Sequence, residues 1–185
     1  WLYTPSLNDD TSVSFSYTIS DDGTTDGSPD PQTVVGSATL DLTPVNDVPT
    51  TLPVVLSSIA EDSGVHTITS SMLLVNAADT EDDTLTVSGL SIVSGNGGLV
   101  QDSAGVWLYT PSLNDDTSVS FSYTISDDGT TDGSPDPQTV VGSATLDLTP
   151  VNDVPTTSPV ELSSIAEDSG VHTITSSMLL VNAAD

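Results

Sequence analysis

The chain has 185 residues with 27 Asp and Glu, no Lys or Arg, and a formal net charge of −27. Nucleic acid and anionic membrane surfaces are excluded as partners, because both are gripped through Lys and Arg. Cysteine is absent, which removes disulfides and thiolate metal sites, and no apolar run approaches the ~18 residues of a membrane span. What fits this composition is a cation. Carboxylates without basic partners repel one another in a compact state, and hard divalent ions with oxygen ligands relieve that repulsion. High acidity often marks disorder, but 35% of the residues are hydrophobic and they alternate with polar ones.

One internal repeat organises the chain. Residues 1–79 recur as 107–185, and only Leu52 (Ser158) and Val55 (Glu161) change. A buried apolar site would not readily accept an unpaired glutamate, so Val55 is expected to face solvent. The offset of 106 residues is the size of an independently folding domain, not of a solenoid repeat. The proline-flanked stretch from Thr43 to Pro49, repeated as Thr149 to Pro155, reads as a stiff connector. Residues 1–48 are therefore expected to be the C-terminal part of one domain, 49–154 a complete domain, and 155–185 the N-terminal part of a third. Opening on Trp1 rather than Met, the chain reads as a piece of a longer protein.

In chain order, the complete unit predicts β-structure almost throughout. Val65 to Ile68 is a short strand, and Ser70 to Val75 the one place for a helical turn. Leu85 to Val87 and Leu90 to Ile92 give a further strand or pair, and Asn96-Gly97-Gly98 a turn. Trp107 to Tyr109 is a strand ending at Pro111. Val119, Phe121, Tyr123 and Ile125 alternate with Ser and Thr, the period-two pattern of a half-buried strand. Asp128-Gly129 and Asp132-Gly133 are turn signals. Thr139 to Thr149 alternates again, with Ala144, Leu146 and Leu148 on one face. About seven short strands in one such unit is the count of an immunoglobulin-like β-sandwich, so the fold class is all-β, with the aromatic residues as core.

The acids cluster: Asn8-Asp9-Asp10, Asp21-Asp22, Asn46-Asp47, Glu61-Asp62, and Asp79 through Asp83. Each cluster follows or interrupts a strand and so falls in a loop at one end of a sandwich. Calcium takes six to eight oxygens from carboxylates, Asn and backbone carbonyls, a mixture that such loops and an Asn-Asp connector supply. Asp26, Asp30 and Asp102 are left as solvated acids.

At this point the residues resemble cadherins and bacterial cadherin-like repeats. Leu7-Asn8-Asp9-Asp10 is similar to the family's Leu-Asp-Arg-Glu motif, and Ser20-Asp21-Asp22-Gly23 to its Thr-Asp-Gly-Gly segment. Val45-Asn46-Asp47-Val48-Pro49 resembles the linker Val-Asn-Asp-Asn-x-Pro. Ala60-Glu61-Asp62 sits where cadherins carry an early calcium-binding Glu, and the run from Ala78 to Leu85 resembles Asp-x-Asp before a strand. The resemblance covers the whole repeat, with five motifs in the family's order. It implies calcium shared between successive domains. For the first junction it implies Asp9 and Asp10 from one domain, Asn46 and Asp47 from the linker, and Asp79, Glu81, Asp83 and Asp127 from the next. For the second it implies Glu61, Asp115, Asp116, Asn152, Asp153 and Asp185. Pro44 stands where cadherins place an Asp, and Val48 where they place an Asn, so one to three ions per junction are expected.

The function implied is a structural spacer: tandem extender repeats of a large bacterial surface adhesin of the RTX or biofilm-associated type, extracellular and rigidified by calcium. Its partners would be neighbouring identical repeats, with the adhesin's own ligand bound elsewhere and no membrane insertion. The alternative is a module that itself adheres, to carbohydrate or to its own kind, which requires an exposed aromatic or apolar patch. A glycosidase-like carboxylate pair is disfavoured, because nothing places two unlike carboxylates in a cleft. No nucleophile motif or phosphate loop occurs, and His66 and His172 occupy one repeat position. The reading is of a non-enzyme.

Overall fold

A computed structural model describes residues 1–185. Two sheets face each other within the complete unit. One has four strands in the order Thr86–Ser94, Val119–Ser126, Thr139–Leu146, Val54–Val55, and the other three in the order Gly98–Ser103, Val106–Thr110, His66–Thr69. Within these two sheets all pairs are antiparallel except Val54–Val55, which runs parallel to Thr139–Leu146; beside them Ile59–Ala60 also runs parallel to Leu148–Thr149. The chain is an all-β sandwich of the immunoglobulin-like kind.

Side-chain alternation decides which face is buried. In Val119–Ser126, Val119, Phe121, Tyr123 and Ile125 are at most 2% exposed while the Ser and Thr residues between them are half-buried. Ala144 and Leu146 are likewise buried on the adjoining strand, and Leu148 on the short strand Leu148–Thr149 that follows it. From the facing sheet come Trp107, Tyr109 and Ile68, and the Tyr109 ring meets Phe121 edge-on at 5.6 Å. Burying each large side chain stabilises the fold by about 1.5–3 kcal/mol. The core cluster lies wholly between residues 54 and 148.

One polar bond is built into this core. The Tyr123 hydroxyl donates to the Leu73 carbonyl at 2.8 Å, tying the helical turn Ser70–Leu73 to the opposite sheet. The ring lies over Gly142, where a β-carbon would fall 2.4 Å from Tyr123 Cε2; only glycine allows this approach. Tyr123→Phe leaves the buried carbonyl without its donor and should cost about 1–3 kcal/mol, read as a lower urea midpoint with an unchanged slope.

The structure settles one open alternative and departs from the sequence expectations in one place. Of the strand or pair expected from Leu85 to Ile92, a single strand forms, Thr86–Ser94, broken in register at Ser88/Ser91 and Ile92/Ser94. Gly89, at φ 64°, supplies the bulge that makes one strand look like two. Of the two Asp-Gly pairs, Asp132-Gly133 does form a hairpin turn, with both residues at positive φ. Asp128-Gly129 forms none; its glycine is buried for another reason, given below. Val55 is exposed, at 82%.

The two end segments repeat the same local structure without its cover. The hairpin Val13–Ser20/Thr33–Leu40 has the register of its copy in the complete unit, yet Phe15, Tyr17 and Ile19 are 37, 48 and 53% exposed. Residues 155–185 form the pair Thr156–Thr157/Ala183–Ala184 and the helical turn Ser176–Leu179. No helix is long and apolar enough to cross a membrane.

Candidate metal centre at the first junction

The linker before the complete unit is strapped to that unit's loops. Pro44 O accepts from Asp132 N at 3.0 Å, and Asn46 N donates to Thr131 Oγ1 at 3.0 Å. Asn46 itself is 6% exposed. Its Nδ2 donates to Asp127 Oδ1 at 3.0 Å and to the Asp136 carbonyl at 2.8 Å. One residue later, Asp47 N donates to Glu81 Oε2 at 3.2 Å.

Three side chains at this point each engage one polar atom fully and leave one oxygen bare. Asp127 Oδ1 accepts from Gly129 N, Gln138 N and Asn46 Nδ2. Asp79 Oδ1 accepts from Glu81 N at 3.1 Å and Asp83 N at 3.2 Å. Yet Asp127 Oδ2, Asp79 Oδ2 and Asn46 Oδ1 are buried and accept nothing. A buried oxygen without a donor is costly, and buried polar groups are normally satisfied. No Lys or Arg exists in the chain to satisfy them.

Further oxygens converge here. Ligand atoms of Asp79, Glu81 and Asp83 lie within 4.8 Å of one another. Gly129 explains how the linker comes so close. A β-carbon at this residue would fall 2.0 Å from Asn46 Oδ1 and 2.3 Å from Asp83 Oδ2, so any other residue would occupy the space where these two oxygens meet.

The electrostatics divide the acids. Burial pushes the Asp127 carboxyl up, but the bonds from Gln138, Gly129 and Asn46 outweigh burial and hold it below the ordinary carboxylate range. Asp83 is raised, first by burial and then by the charges of Asp79, Asp128 and Asp127. The donor set is all oxygen, mixed carboxylate and amide, and strained by its own charge. That is the chemistry of a hard divalent cation such as calcium, and the bare buried oxygens and the space kept open at Gly129 fit one.

The structure brings Asn46, Asp47, Asp79, Glu81, Asp83 and Asp127 together. Asp9, Asp10, Asp47 and Glu81 line one cleft of about 940 Å³ between the N-terminal hairpin and the complete unit, although Asp9 is otherwise engaged only by Thr11 N. The second set is not gathered in the same way. Glu61, 6% exposed, accepts from Val151 N at 2.8 Å and so already holds the outgoing linker. Asp115 accepts from Asn96 Nδ2 and Thr117 N. Asp116, Asn152 and Asp185 are exposed and Asp153 is half-buried. At the first junction Asn46 rests on Asp127, whereas Asn152 Nδ2 donates to the Asp153 carbonyl at 3.3 Å.

Three participants escape the sequence reading. Gly129 reads in the sequence as a turn residue. Asp128 accepts from Thr84 N at 2.7 Å and crowds Asp83. Asp136 Oδ2 accepts from Thr131 Oγ1 at 2.7 Å, and its carbonyl holds Asn46. The available signal was the pair Pro135 and Pro137 bracketing Asp136, which marks a rigid loop rather than a solvated one.

Residues 45–141 match the family model described as a cadherin-like domain. Among solved structures, the chain is similar to a human mucin-like protocadherin fragment, EC1-2, at 16% identity, covering 64% of this chain and 61% of that one, with a TM-score of 0.38. It is also similar to the endo-fucoidan hydrolases MfFcnA4 and MfFcnA9 of glycoside hydrolase family 107. These stand at 18% and 17% identity, with TM-scores of 0.36 and 0.33, covering 78% and 73% of this chain. The chain spans only 20% and 22% of the hydrolases, and neither these likenesses nor the protocadherin's bears on function. No curated protein matches. Cadherin-like domains typically bind calcium and are not enzymes. The family match spans more than half of the residues, and the chain belongs to the cadherin-like domain family.

Proposed function

We propose that the protein is a structural extender of an extracellular bacterial surface adhesin, whose tandem domains are locked in line by calcium at the junctions. The observation that carries this reading is Asn46. A linker residue, buried in the following domain, presents a bare amide oxygen beside two bare carboxylate oxygens of that domain. Asn46, Asp79, Asp83 and Asp127 would hold the ion, with Glu81 beside them and Asp47, Asp9 and Asp10 facing the shared cleft. Bound there, calcium supplies the positive charge that the chain lacks. Without it the acids repel across the linker; with it, oxygens from both sides share one cation and the interdomain angle is held. At the second junction Glu61, Asp115, Asp116, Asn152, Asp153 and Asp185 would serve when the following repeat is complete.

Near-identity of the repeats favours length over recognition, since a binding module needs one distinctive surface and a spacer only needs copies. The test is X-ray scattering of a chain of three complete repeats in chelator and in millimolar calcium, the range of extracellular modules. The expected result is a rod of fixed maximum dimension in calcium and a broader, shorter distribution in chelator. Identical profiles in the two media would refute the junction mechanism.

A further inference from the structure

We infer that the peptide bond between Asp136 and Pro137 is a site of self-cleavage, with the Asp136 carboxylate as nucleophile and the side-chain amides of Asn46 and Gln138 as oxyanion donors. The carbonyl of this bond accepts two amide N–H groups, from Asn46 Nδ2 at 2.8 Å and from Gln138 Nε2 at 3.2 Å. Preorganised donors stabilise a developing oxyanion when they lie about 2.7–3.1 Å from it. The Asn46 bond falls within that range and the Gln138 bond at its edge. Asn46 gives Nδ2 to this carbonyl and leaves Oδ1 bare for the junction, so its two roles do not compete.

The carboxylate is held beside the same carbonyl. Gln138 Nε2 also donates to Asp136 Oδ1 at 3.1 Å, so one amide nitrogen bridges the carboxylate and the carbonyl oxygen. Thr131 Oγ1 donates to the other oxygen, Oδ2, at 2.7 Å. The backbone is pinned on both sides of the bond. Asp136 N donates to the Gly129 carbonyl at 3.0 Å, and Gln138 N to Asp127 Oδ1 at 2.8 Å. Pro135 and Pro137 add their fixed φ angles. Holding the reacting groups in place supplies a large share of such a barrier, and here nucleophile and carbonyl belong to one residue. Pro137 is exposed and Asp136 half-buried, so water reaches the bond.

In the reaction an Asp136 carboxylate oxygen attacks its own carbonyl carbon, and charge gathers on the oxygen that Asn46 and Gln138 hold. A carboxylate nucleophile of this kind splits one difficult step into two easier ones. The new C–O bond closes a cyclic anhydride of the succinic type as the C–N bond to Pro137 breaks. The departing proline nitrogen takes a proton from water. The hydroxide left behind opens the anhydride, and the carboxylic acid so released passes its proton to the amine. One water is consumed, leaving a new carboxylate on Asp136 and a new amine on Pro137. The nick lies before Thr139–Leu146, which stays paired with Val119–Ser126 along its whole length. A cut unit therefore keeps its sandwich until it is pulled or denatured.

Mass spectrometry of the denatured products tests this, on the purified chain held folded at neutral pH and, as reference, in concentrated urea. Both samples contain chelator, which keeps the result separate from the calcium reading of the junction. The expected result is that fragments 1–136 and 137–185 accumulate about 10-fold faster from the folded chain, because unfolding scatters the donors that stabilise the oxyanion. Asp136→Ala removes the nucleophile and should abolish the scission. Gln138→Ala keeps the backbone bond to Asp127 and should slow it about 10-fold. That is less than the roughly 10²–10³ of a lost enzyme donor, because this bond is long at 3.2 Å. Both positions lie outside the core cluster, and a melt of each variant checks that its sandwich is intact. Scission no faster in the folded chain than in urea overturns the inference. So does a folded Asp136→Ala chain that still breaks there, or a Gln138→Ala chain that breaks at the wild-type rate.

Discussion

Phe121→Ala should destabilise the complete unit by about 3–5 kcal/mol, while Phe15→Ala, the same substitution one repeat earlier, should leave its melting within about 0.5 kcal/mol of wild type. The two phenylalanines share their neighbours in sequence and their strand register. Phe121 is fully buried, with Tyr109 edge-on to its ring; removing it opens a cavity lined by both sheets, and the cost of a cavity adds to the lost transfer energy. Phe15 is 37% exposed, packed edge-on against Tyr3 alone of the aromatic residues, so little is lost. Against a typical domain stability of 5–15 kcal/mol, the first change is a large fraction of the total. Urea melts followed by the near-ultraviolet signal of Trp107, under dilute conditions, measure both. Equal effects would mean that the hairpin of residues 13–40 is as well packed as its copy.

Asp83→Asn should change sign with the medium. In chelator it removes a charge that burial and Asp79, Asp128 and Asp127 all oppose, so the melting temperature should rise. In calcium it removes a ligand, and the variant should lose most of the stabilisation that the ion gives wild type. An ion at a hundred times its dissociation constant contributes about 2.7 kcal/mol, roughly 10–20 °C for a unit of this size. Asp127→Asn should lower the melting temperature in both media, because its carboxylate also organises Gly129, Gln138 and Asn46.

The same two groups give a pH dependence in chelator. The raised Asp83 contributes stability that is complete below its unfolded value of 3.8 and is lost as pH rises through its higher folded value. The depressed Asp127 contributes stability that is present above 3.8 and is lost as pH falls through its lower folded value. Apo stability should therefore decline as pH rises above 3.8 through the raised folded value of Asp83, and calcium should abolish that decline. A calcium-free melting temperature that does not fall over that rise, or an Asp83→Asn effect of one sign in both media, would remove Asp83 from the site.

The strands were legible because burial on one face imposes period two, and Val119 to Ile125 displays it without interruption. The one-residue shift within Thr86–Ser94 was not legible, because a bulge breaks that period while pairing continues. The acidic clusters were visible as clusters. Their division into bare and engaged oxygens was not, since it depends on which amides the folded loops aim at each carboxylate. Asp136 meets the linker asparagine Asn46 through its carbonyl, a contact between residues 90 apart that no local pattern announces.

By itself, the sequence determined the β class, the repeat and the unpaired excess of acids, because alternation, identity and net charge are properties of the chain read one residue at a time. The tertiary structure alone decided that Asn46 belongs inside the following domain and that Gly129 is the space it enters. Each of these depends on what segments distant in the chain bring to the same place, and identical local sequence carries no record of that.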